Sequence, residues 1–245
     1  MPVVFKIYNE AGKLQLDANA PSLQFKSKLS AVASFNYERT PGKRVDYAWN
    51  VSNFPLIAVR PSGGPITQMG LIGGGSPGYQ YAVLATGVGI DAYVFERPYI
   101  MPPPSGPRLV LYDAAGAVTY SSAQRPMRIA AVLSTGGGVF PVSQFVGTPG
   151  RIYAAAFPGY IGYFGYEVAD FIIGPGGNQQ IPEGETWYRF VGAGASVEVD
   201  PAQPHKLFFG QLQHSGTPHG TTQSPPAGAN GSYDGTVLIV DVTGI

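Results

Sequence analysis

Residues 74–78 read Gly-Gly-Ser-Pro-Gly and match the G-x-S-x-G pattern, which in many hydrolases places a nucleophilic serine on a strand–turn–helix elbow. In that elbow the backbone N–H of the residue after the serine stabilises an oxyanion. Here that residue is Pro77, which has no N–H, and no helical periodicity follows it. The sequence therefore predicts a loop rich in glycine and proline at this position, without a nucleophile.

The three histidines, His205, His214 and His219, are the next candidates for chemistry, and two of them lie in or beside the Gly- and Pro-rich residues 213–234. Because imidazole is a common metal ligand, His214 and His219 together with Asp234 offer part of a metal site. Their spacing matches no metal motif, and the chain contains no cysteine. We therefore interpret them as solvated loop residues and predict no cofactor. A metal site on the symmetry axis of an oligomer is the alternative.

Paired carboxylates, which glycoside hydrolases use as acid and base or nucleophile, occur twice. Glu183 and Glu185 flank a glycine in a turn-like segment, and Glu198 and Asp200 alternate along a predicted strand, which places them on one face. Ordinary surface carboxylates explain both pairs, so we predict that the protein is not an enzyme. Hydrolysis of a glycan by residues such as Glu198 and Asp200 is the alternative.

A cluster of tyrosines is the candidate recognition surface. Its members are Tyr153, Tyr160, Tyr163 and Tyr166, which alternate with glycines and phenylalanines. Tyrosine combines a large apolar ring with a polar tip, as contact surfaces for carbohydrate or protein require. A strand core with one exposed edge is the alternative interpretation.

The composition favours an assembled protein. Only 12% of the 245 residues are charged and the formal net charge is zero, whereas a solvated surface commonly carries about 25–35% charged residues. We therefore expect a homo-oligomer in which other subunits cover part of the surface; a surface of uncharged polar residues is the alternative. Zero net charge argues against nucleic-acid binding. No signal peptide and no apolar stretch near the ~18 residues of a membrane span occur, so we expect cytoplasmic synthesis and no membrane insertion.

Short apolar segments with a period of two, separated by turns rich in the chain's 34 glycines and 23 prolines, predict an all-β fold. Five prolines within residues 98–107 predict an extended connector. We therefore predict two tandem β-sandwich-like domains, residues 1–97 and 108–245. Residues 236–242 are almost continuously apolar, which predicts a central strand buried on both faces, and residues 91–96 are its counterpart in the first half.

Each predicted domain opens with a similar β-hairpin, because residues 5–17 recur as residues 109–121 at an offset of 104 that holds as far as residues 30 and 134. Both copies read as strand, glycine-containing turn and strand. Gly12 and Gly116 stand where the turn needs a positive φ. We interpret this repeat as a duplication; convergence of two hairpins on common turn chemistry is the alternative.

The opening segment and its second copy resemble the start of small virion proteins of tailed bacteriophages, which are encoded near tail-tip and tail-fibre genes and often begin strand–Tyr–Asp–x–x–Gly–strand–Asp–Ser. The resemblance covers about 26 residues in each half and brings no catalytic residue. It implies a structural component of a tail tip, baseplate or fibre, located in the virion. Such a component assembles with other tail proteins and with itself, with a trimer favoured, and contacts a host-surface receptor. The doubled hairpin departs from the family pattern. A lectin-like glycan-binding module is the alternative.

Overall fold

The computed structural model describes residues 6–8, 10, 14–17, 22–30, 33–37, 40–47, 55–62, 66–75, 78–85, 89–97, 109–136, 143–157, 162–168, 172–174, 177–183, 186, 188–218 and 231–245. These residues form 21 strands and contain no helix, so the predicted all-β class is confirmed. Every pairing between these strands is antiparallel.

The strands are β1 (Lys6–Tyr8), β2 (Leu14–Asp17), β3 (Gln24–Ser30), β4 (Ala33–Tyr37), β5 (Thr40–Tyr47), β6 (Leu56–Pro61), β7 (Ile66–Gly75), β8 (Gly78–Ala85), β9 (Ile90–Glu96), β10 (Val110–Tyr112), β11 (Val118–Ser121), β12 (Arg128–Ser134), β13 (Gln144–Val146), β14 (Tyr153–Ala156), β15 (Gly162–Val168), β16 (Ile172–Gly174), β17 (Gly177–Gln179), β18 (Tyr188–Glu198), β19 (Lys206–Pro218), β20 (Gly231–Tyr233) and β21 (Thr236–Asp241).

Two large sheets contain most of these strands. The six-stranded sheet has the order β12-β21-β14-β6-β9-β3, and the nine-stranded sheet has the order β13-β19-β18-β7-β8-β5-β4, with β15 paired to β18 and β20 paired to β15. The pairs β1–β2, β10–β11 and β16–β17 are separate hairpins. As predicted, the apolar strand β21 is central, between β12 and β14, and its counterpart β9 lies between β6 and β3.

Both large sheets contain strands from the two halves of the chain. In the six-stranded sheet the halves join where Ala58 of β6 pairs with Ala156 of β14. In the nine-stranded sheet they join where Ile66 of β7 pairs with Val197 of β18. The connector at residues 98–107 lies outside the described residues, and its role as a domain boundary stays a prediction. The strands described on either side of it share the same two sheets.

A continuous core lies between the two sheets, which pack face to face as a sandwich. Val94 and Ile239 of the six-stranded sheet and Val197 and Leu207 of the nine-stranded sheet belong to the same buried cluster, which we call the inter-sheet core. A second buried cluster includes Phe95 and covers the opposite face of the six-stranded sheet. We call this second cluster the outer core.

The predicted pair of similar hairpins is present, because β1–β2 and β10–β11 have the same register and the same irregularity. The paired residues are Lys6–Asp17, Ile7–Leu16 and Tyr8–Leu14 in the first hairpin, and Val110–Ser121, Leu111–Tyr120 and Tyr112–Val118 in the second. In the second turn, Asp113 Oδ1 accepts hydrogen bonds from the backbone N–H of Ala115 at 2.9 Å and of Ala117 at 2.8 Å. Gly116 has a φ of 81°, as the sequence predicted.

The repeat extends beyond the hairpins into the six-stranded sheet. β3 pairs with β9 as β12 pairs with β21, and the register shifts between Phe25 and Ser27 in the first copy and between Ile129 and Ala131 in the second. The shift occurs at the same repeat position, 104 residues apart, in both strands. The sheet is thus built from two similar three-stranded halves that meet at β6 and β14.

The two terminal strands of this sheet also meet at their beginnings. Gln24 bridges Pro126 in antiparallel orientation. The Phe25 N–H donates to the Arg125 carbonyl at 2.7 Å, and the Met127 N–H donates to the Leu23 carbonyl at 2.8 Å. The six-stranded sheet therefore curls so that its two edges are joined at one end.

Candidate functional site

The exposed large apolar side chains lie close together in the sequence, among the residues whose side chains the structure describes. All of these lie between positions 109 and 146: Leu109 (44%), Tyr112 (51%), Ile129 (49%), Val132 (58%) and Val146 (55%). Single exposed apolar residues are common on any protein, whereas several in one region indicate a contact surface.

Two of these side chains extend the outer core to the surface. Ile129 pairs with Val240 and Val132 pairs with Leu238. Directly paired residues of antiparallel strands point to the same face. Val240 is fully buried in the outer core and Leu238 packs against it. Ile129 and Val132 therefore continue an apolar surface that begins inside the protein.

Val146 is exposed at the end of the other sheet, where it follows Phe145, which packs against the inter-sheet core, so the Val146 side chain points away from that core. Its strand β13 ends the nine-stranded sheet, as β12 ends the six-stranded sheet. Because β14 contacts β19 and β6 contacts β18, the second-half ends of the two sheets lie together. We call Ile129, Val132 and Val146 the apolar edge.

The corresponding edge of the first half is closed by polar and aromatic contacts. Phe25, the counterpart of Ile129, packs edge-on against Phe95 with ring centroids 6.0 Å apart. Lys28, the counterpart of Val132, places its Nζ 2.8 Å from Asp91 Oδ2 and 5.3 Å from the ring centroid of Tyr93. Both edges thus have the same backbone and opposite surface chemistry.

The pKa shifts at the first-half edge are those expected for a structural ion pair between Lys28 and Asp91. The hydrogen bond to Asp91 raises the pKa of Lys28, and burial raises the pKa of Tyr93. Partial burial lowers the pKa of the neighbouring Arg60, whose Nη1 donates to the Tyr153 carbonyl at 2.6 Å. These groups bind one another and the backbone, so the cluster stabilises the junction of β3, β9 and β6.

Tyr153, the first member of the predicted recognition surface, is a core residue instead. It is only 3% exposed. Its hydroxyl accepts a hydrogen bond from the Thr148 N–H at 3.0 Å, and its ring centroid lies 5.1 Å from that of Phe145. β14 is central, with all four residues buried, which corrects the expectation that this ring is displayed at the surface.

The other predicted tyrosines keep their status as predictions. Tyr163 and Tyr166 lie in β15, opposite Ala193 and Phe190 of β18, and their side chains are outside the described residues, as is Tyr160.

The predicted histidine site is also untested. His214 pairs with Gly192 in the β18–β19 ladder, but its side chain and the whole of His219 are outside the described residues. Where side chains are described, no group of three or more metal-ligating residues occurs.

Asp200 caps a turn between β18 and β19. Its Oδ1 accepts from the Ala202 N–H at 2.9 Å and its Oδ2 accepts from Gln203 Nε2 at 3.0 Å. The hydrogen bond from Gln203, with that from Ala202, lowers its pKa. Glu198, the last residue of β18, is exposed to solvent. The carboxylate of Asp200 is therefore engaged in local structure.

Gly75, the last residue of β7, pairs with Gly78, the first residue of β8. Ser76 and Pro77 are outside the described residues, so the predicted loop without a nucleophile stays a prediction, and β8 follows where a nucleophile elbow has a helix. The apolar edge was not predicted from the sequence. The aligned repeat does indicate it, because Val132 stands where the first copy has Lys28.

Comparison with known proteins gives no match to any family model, curated protein or solved structure. Among the described residues, no helix is long and apolar enough to cross a membrane.

Proposed function

We propose that this protein is a non-enzymatic structural subunit of a phage tail tip, baseplate or fibre, and that it assembles with copies of itself and with other tail proteins through the apolar edge. The observation that carries the proposal is the exposure of Ile129, Val132 and Val146 at the second-half ends of both sheets. Full burial of such a side chain contributes about 1.5–3 kcal/mol, so at half exposure a large share of that energy is gained only on association.

The chemistry of the two terminal strands supports assembly. An edge strand carries unpaired N–H and C=O groups, and proteins commonly protect it with lysines. β3 contains Lys26 and Lys28, whereas β12 contains no lysine, and its one charged residue, Arg128, stands at its beginning. β12 is therefore suited to accept a partner. The charged content of 12% is consistent with a surface partly covered by other subunits.

A trimer is the favoured state. In a cyclic trimer each contact is head-to-tail, so the apolar edge of one copy meets a different surface of the next. The tail location rests on the resemblance of the opening hairpin, which the chain contains twice with matching register.

A host-surface receptor is the second partner, and we place its contact at Tyr160, Tyr163 and Tyr166. Residues 62–65 connect β6 to β7 in the first half, whereas residues 157–187 connect β14 to β18 in the second and contain β15, β16 and β17. This added segment has no counterpart in the first half, and segments added to a scaffold often carry binding functions. Tyr163→Ala with Tyr166→Ala is expected to abolish binding of the purified protein to host cells.

Light scattering coupled to size exclusion tests the assembly. The wild-type chain is expected to be trimeric at micromolar concentration, and Ile129→Lys with Val132→Lys is expected to be a folded monomer. The control is Ser30→Lys, which adds a single lysine at an exposed position of β3 and is expected to stay trimeric. A wild-type monomer, or a variant that assembles normally, would contradict assembly through the apolar edge.

The genomic neighbourhood tests the tail assignment separately. Genes for tail-tip or tail-fibre proteins are expected beside this one. Neighbours of unrelated function would contradict the assignment and leave the self-assembly proposal standing.

A further inference from the structure

Buried polar atoms without a partner mark a site between the two halves of the chain. Within the described residues, these side-chain atoms are Gln24 Oε1, Ser27 Oγ, Thr119 Oγ1 and Gln124 Oε1. Gln24, Thr119 and Gln124 are 1%, 2% and 8% exposed, and all three lie where the second hairpin contacts the start of β3. Leaving such atoms unpaired is unfavourable, and an ordered water or ion is the usual explanation.

The three residues converge on one short stretch of backbone. Gln24 Nε2 donates to the Ser121 carbonyl at 3.1 Å, and the Gln124 N–H donates to the same carbonyl at 3.1 Å. Thr119 lies two residues before Ser121 on the buried face of β11. Its carbonyl accepts from the Ser22 N–H at 3.0 Å, which brings the residues before β3 alongside it.

The orientation of the Gln24 amide is fixed by this contact. A carbonyl only accepts hydrogen bonds, so the Nε2 of Gln24 must face Ser121. Rotation of the amide would place two acceptor oxygens against each other. The Oε1 of Gln24 is therefore the acceptor left without a donor.

We infer that this site binds one ordered water molecule, which donates to Gln24 Oε1 and Gln124 Oε1 and accepts a hydrogen bond from the Thr119 hydroxyl. A water has two donors and two acceptor positions, and buried waters typically make about three hydrogen bonds. Two amide oxygens and one hydroxyl match that capacity. A calcium ion would need about six to eight oxygen ligands, more than the unpaired atoms supply.

The water links the two halves, since Gln24 belongs to the first and both of its partners belong to the second. The repeat does not create a second such site. The counterpart of Gln24 is the exposed Arg128, and the counterpart of Gln124 is Ala20. The bound water is therefore a specific connection between the second hairpin and the first half.

Thr119→Val tests the inference, because a bound water and an unpaired hydroxyl predict opposite changes in the unfolding temperature. It removes the hydroxyl and keeps the shape. If the water is bound, the variant removes one of its partners and lowers the unfolding temperature by about 2–4 °C. If the hydroxyl is simply unpaired, its removal raises the unfolding temperature. The control is Thr148→Val at an exposed position, which is expected to leave the temperature unchanged.

A double variant and a crystal structure complete the test. Thr119→Val with Gln124→Met is expected to lower the unfolding temperature by less than the sum of the single changes, because both lose the same water. Electron density is expected about 2.6–3.2 Å from all three atoms. A raised temperature, additive effects or absent density would overturn the inference. So would a metal ion at the site, detected by anomalous scattering or by loss of stability in EDTA.

Discussion

Strands β3 and β12 end opposite sides of the six-stranded sheet, and they carry the same irregularity at the same repeat position, after Phe25 in one and after Ile129 in the other. Their backbones are therefore equivalent and their side chains are not. β3 presents Lys28 in an ion pair with Asp91, whereas β12 presents Val132 at 58% exposure.

The two halves share the pairing of a terminal strand with a central apolar strand, and they differ in how the outer edge of that terminal strand is protected. Pairing with a central apolar strand is retained in both halves, because β9 and β21 each need a neighbour on that side. Protection of the outer edge is retained in one half alone. A sheet with one protected and one apolar edge can associate in one direction without aggregating in both.

Removal of Phe95 gives the largest expected effect. Its ring is fully buried and contacts Phe25 edge-on, so Phe95→Ala should reduce the free energy of unfolding by about 3–5 kcal/mol in urea denaturation. The counterpart Val240→Ala should lose less, because Val240 has a smaller side chain and its partner Ile129 is half exposed. Leu109→Ala, at an exposed residue outside the apolar edge, is the control, within about 0.5 kcal/mol of wild type. Equal losses at Phe95 and Val240 would break the distinction between the two edges.

Substitution of Asp241 is expected to cause the next largest loss in the free energy of unfolding. The Asp241 carboxylate also makes that free energy depend on pH. Burial tends to raise its pKa, but hydrogen bonds from Thr243 and the ion pair with Arg151 outweigh this and lower it below 3.8. A lowered folded-state pKa gives stability that is present above the ordinary value and is lost as the pH falls through the folded value. Asp241→Asn should cost about 1.5–3 kcal/mol at neutral pH.

The pH dependence itself sharpens this prediction. Urea denaturation between pH 2 and pH 7 should show a smaller loss of stability on acidification in Asp241→Asn than in wild type. Glu198→Gln, at an exposed carboxylate of β18, is the control and should follow the wild-type curve. A variant with the full wild-type acid sensitivity would contradict the role of Asp241.

Much of the fold was predictable because its signals are local. The hairpins follow from strand–turn–strand patterns with Gly12 and Gly116, and the central position of β21 follows from its continuous apolar sequence. The sharing of sheets between halves was not predictable, since pairs such as Ala58–Ala156 leave no local pattern. Sequence identity ends at Ser30 and Ser134, whereas the correspondence of β9 with β21 was predicted from their apolar sequences and agrees with the register.

The candidate site was less predictable for a physical reason. A tyrosine near glycines has the same local sequence whether its strand is central or at an edge, and Tyr153 lies in a central strand covered on both faces. Exposure at Ile129 and Val132 depends on which strand ends the sheet, which is a property of the whole topology.

Gly116 provides a smaller test of the repeat. Its φ of 81° lies in the left-handed region, and a Cβ there would meet nothing within 4 Å, so Gly116→Ala carries only the backbone cost of about 1–2 kcal/mol. Gly136→Ala, also in open space but without a positive φ, is the matched control and should be neutral. Gly12→Ala should equal Gly116→Ala in thermal unfolding, and a clear difference would contradict the equivalence of the hairpins.

Substitution of Lys28 is expected to have the smallest effect on stability. It also tests most directly the contrast between the edges formed by β3 and β12. Lys28 and Asp91 are 41% and 38% exposed, so Lys28→Gln should cost only about 0.2–1 kcal/mol, and less in high salt. The raised pKa of Lys28 means that this contribution is present below the ordinary value of 10.5 and is lost as the pH rises through the folded value. A loss that is larger or insensitive to salt in urea denaturation would contradict a solvent-screened pair.

Lys28→Val copies the residue that β12 has at this position and separates edge protection from stability. Its cost in stability should be as small as that of Lys28→Gln, because both remove the same ion pair. Association should differ, since only valine gives β3 an apolar edge like that of β12. Light scattering should therefore show larger assemblies for Lys28→Val than for wild type and wild-type assemblies for Lys28→Gln. If both variants behave alike, side-chain chemistry at this position does not control association, and the contrast between the two edges loses its functional meaning.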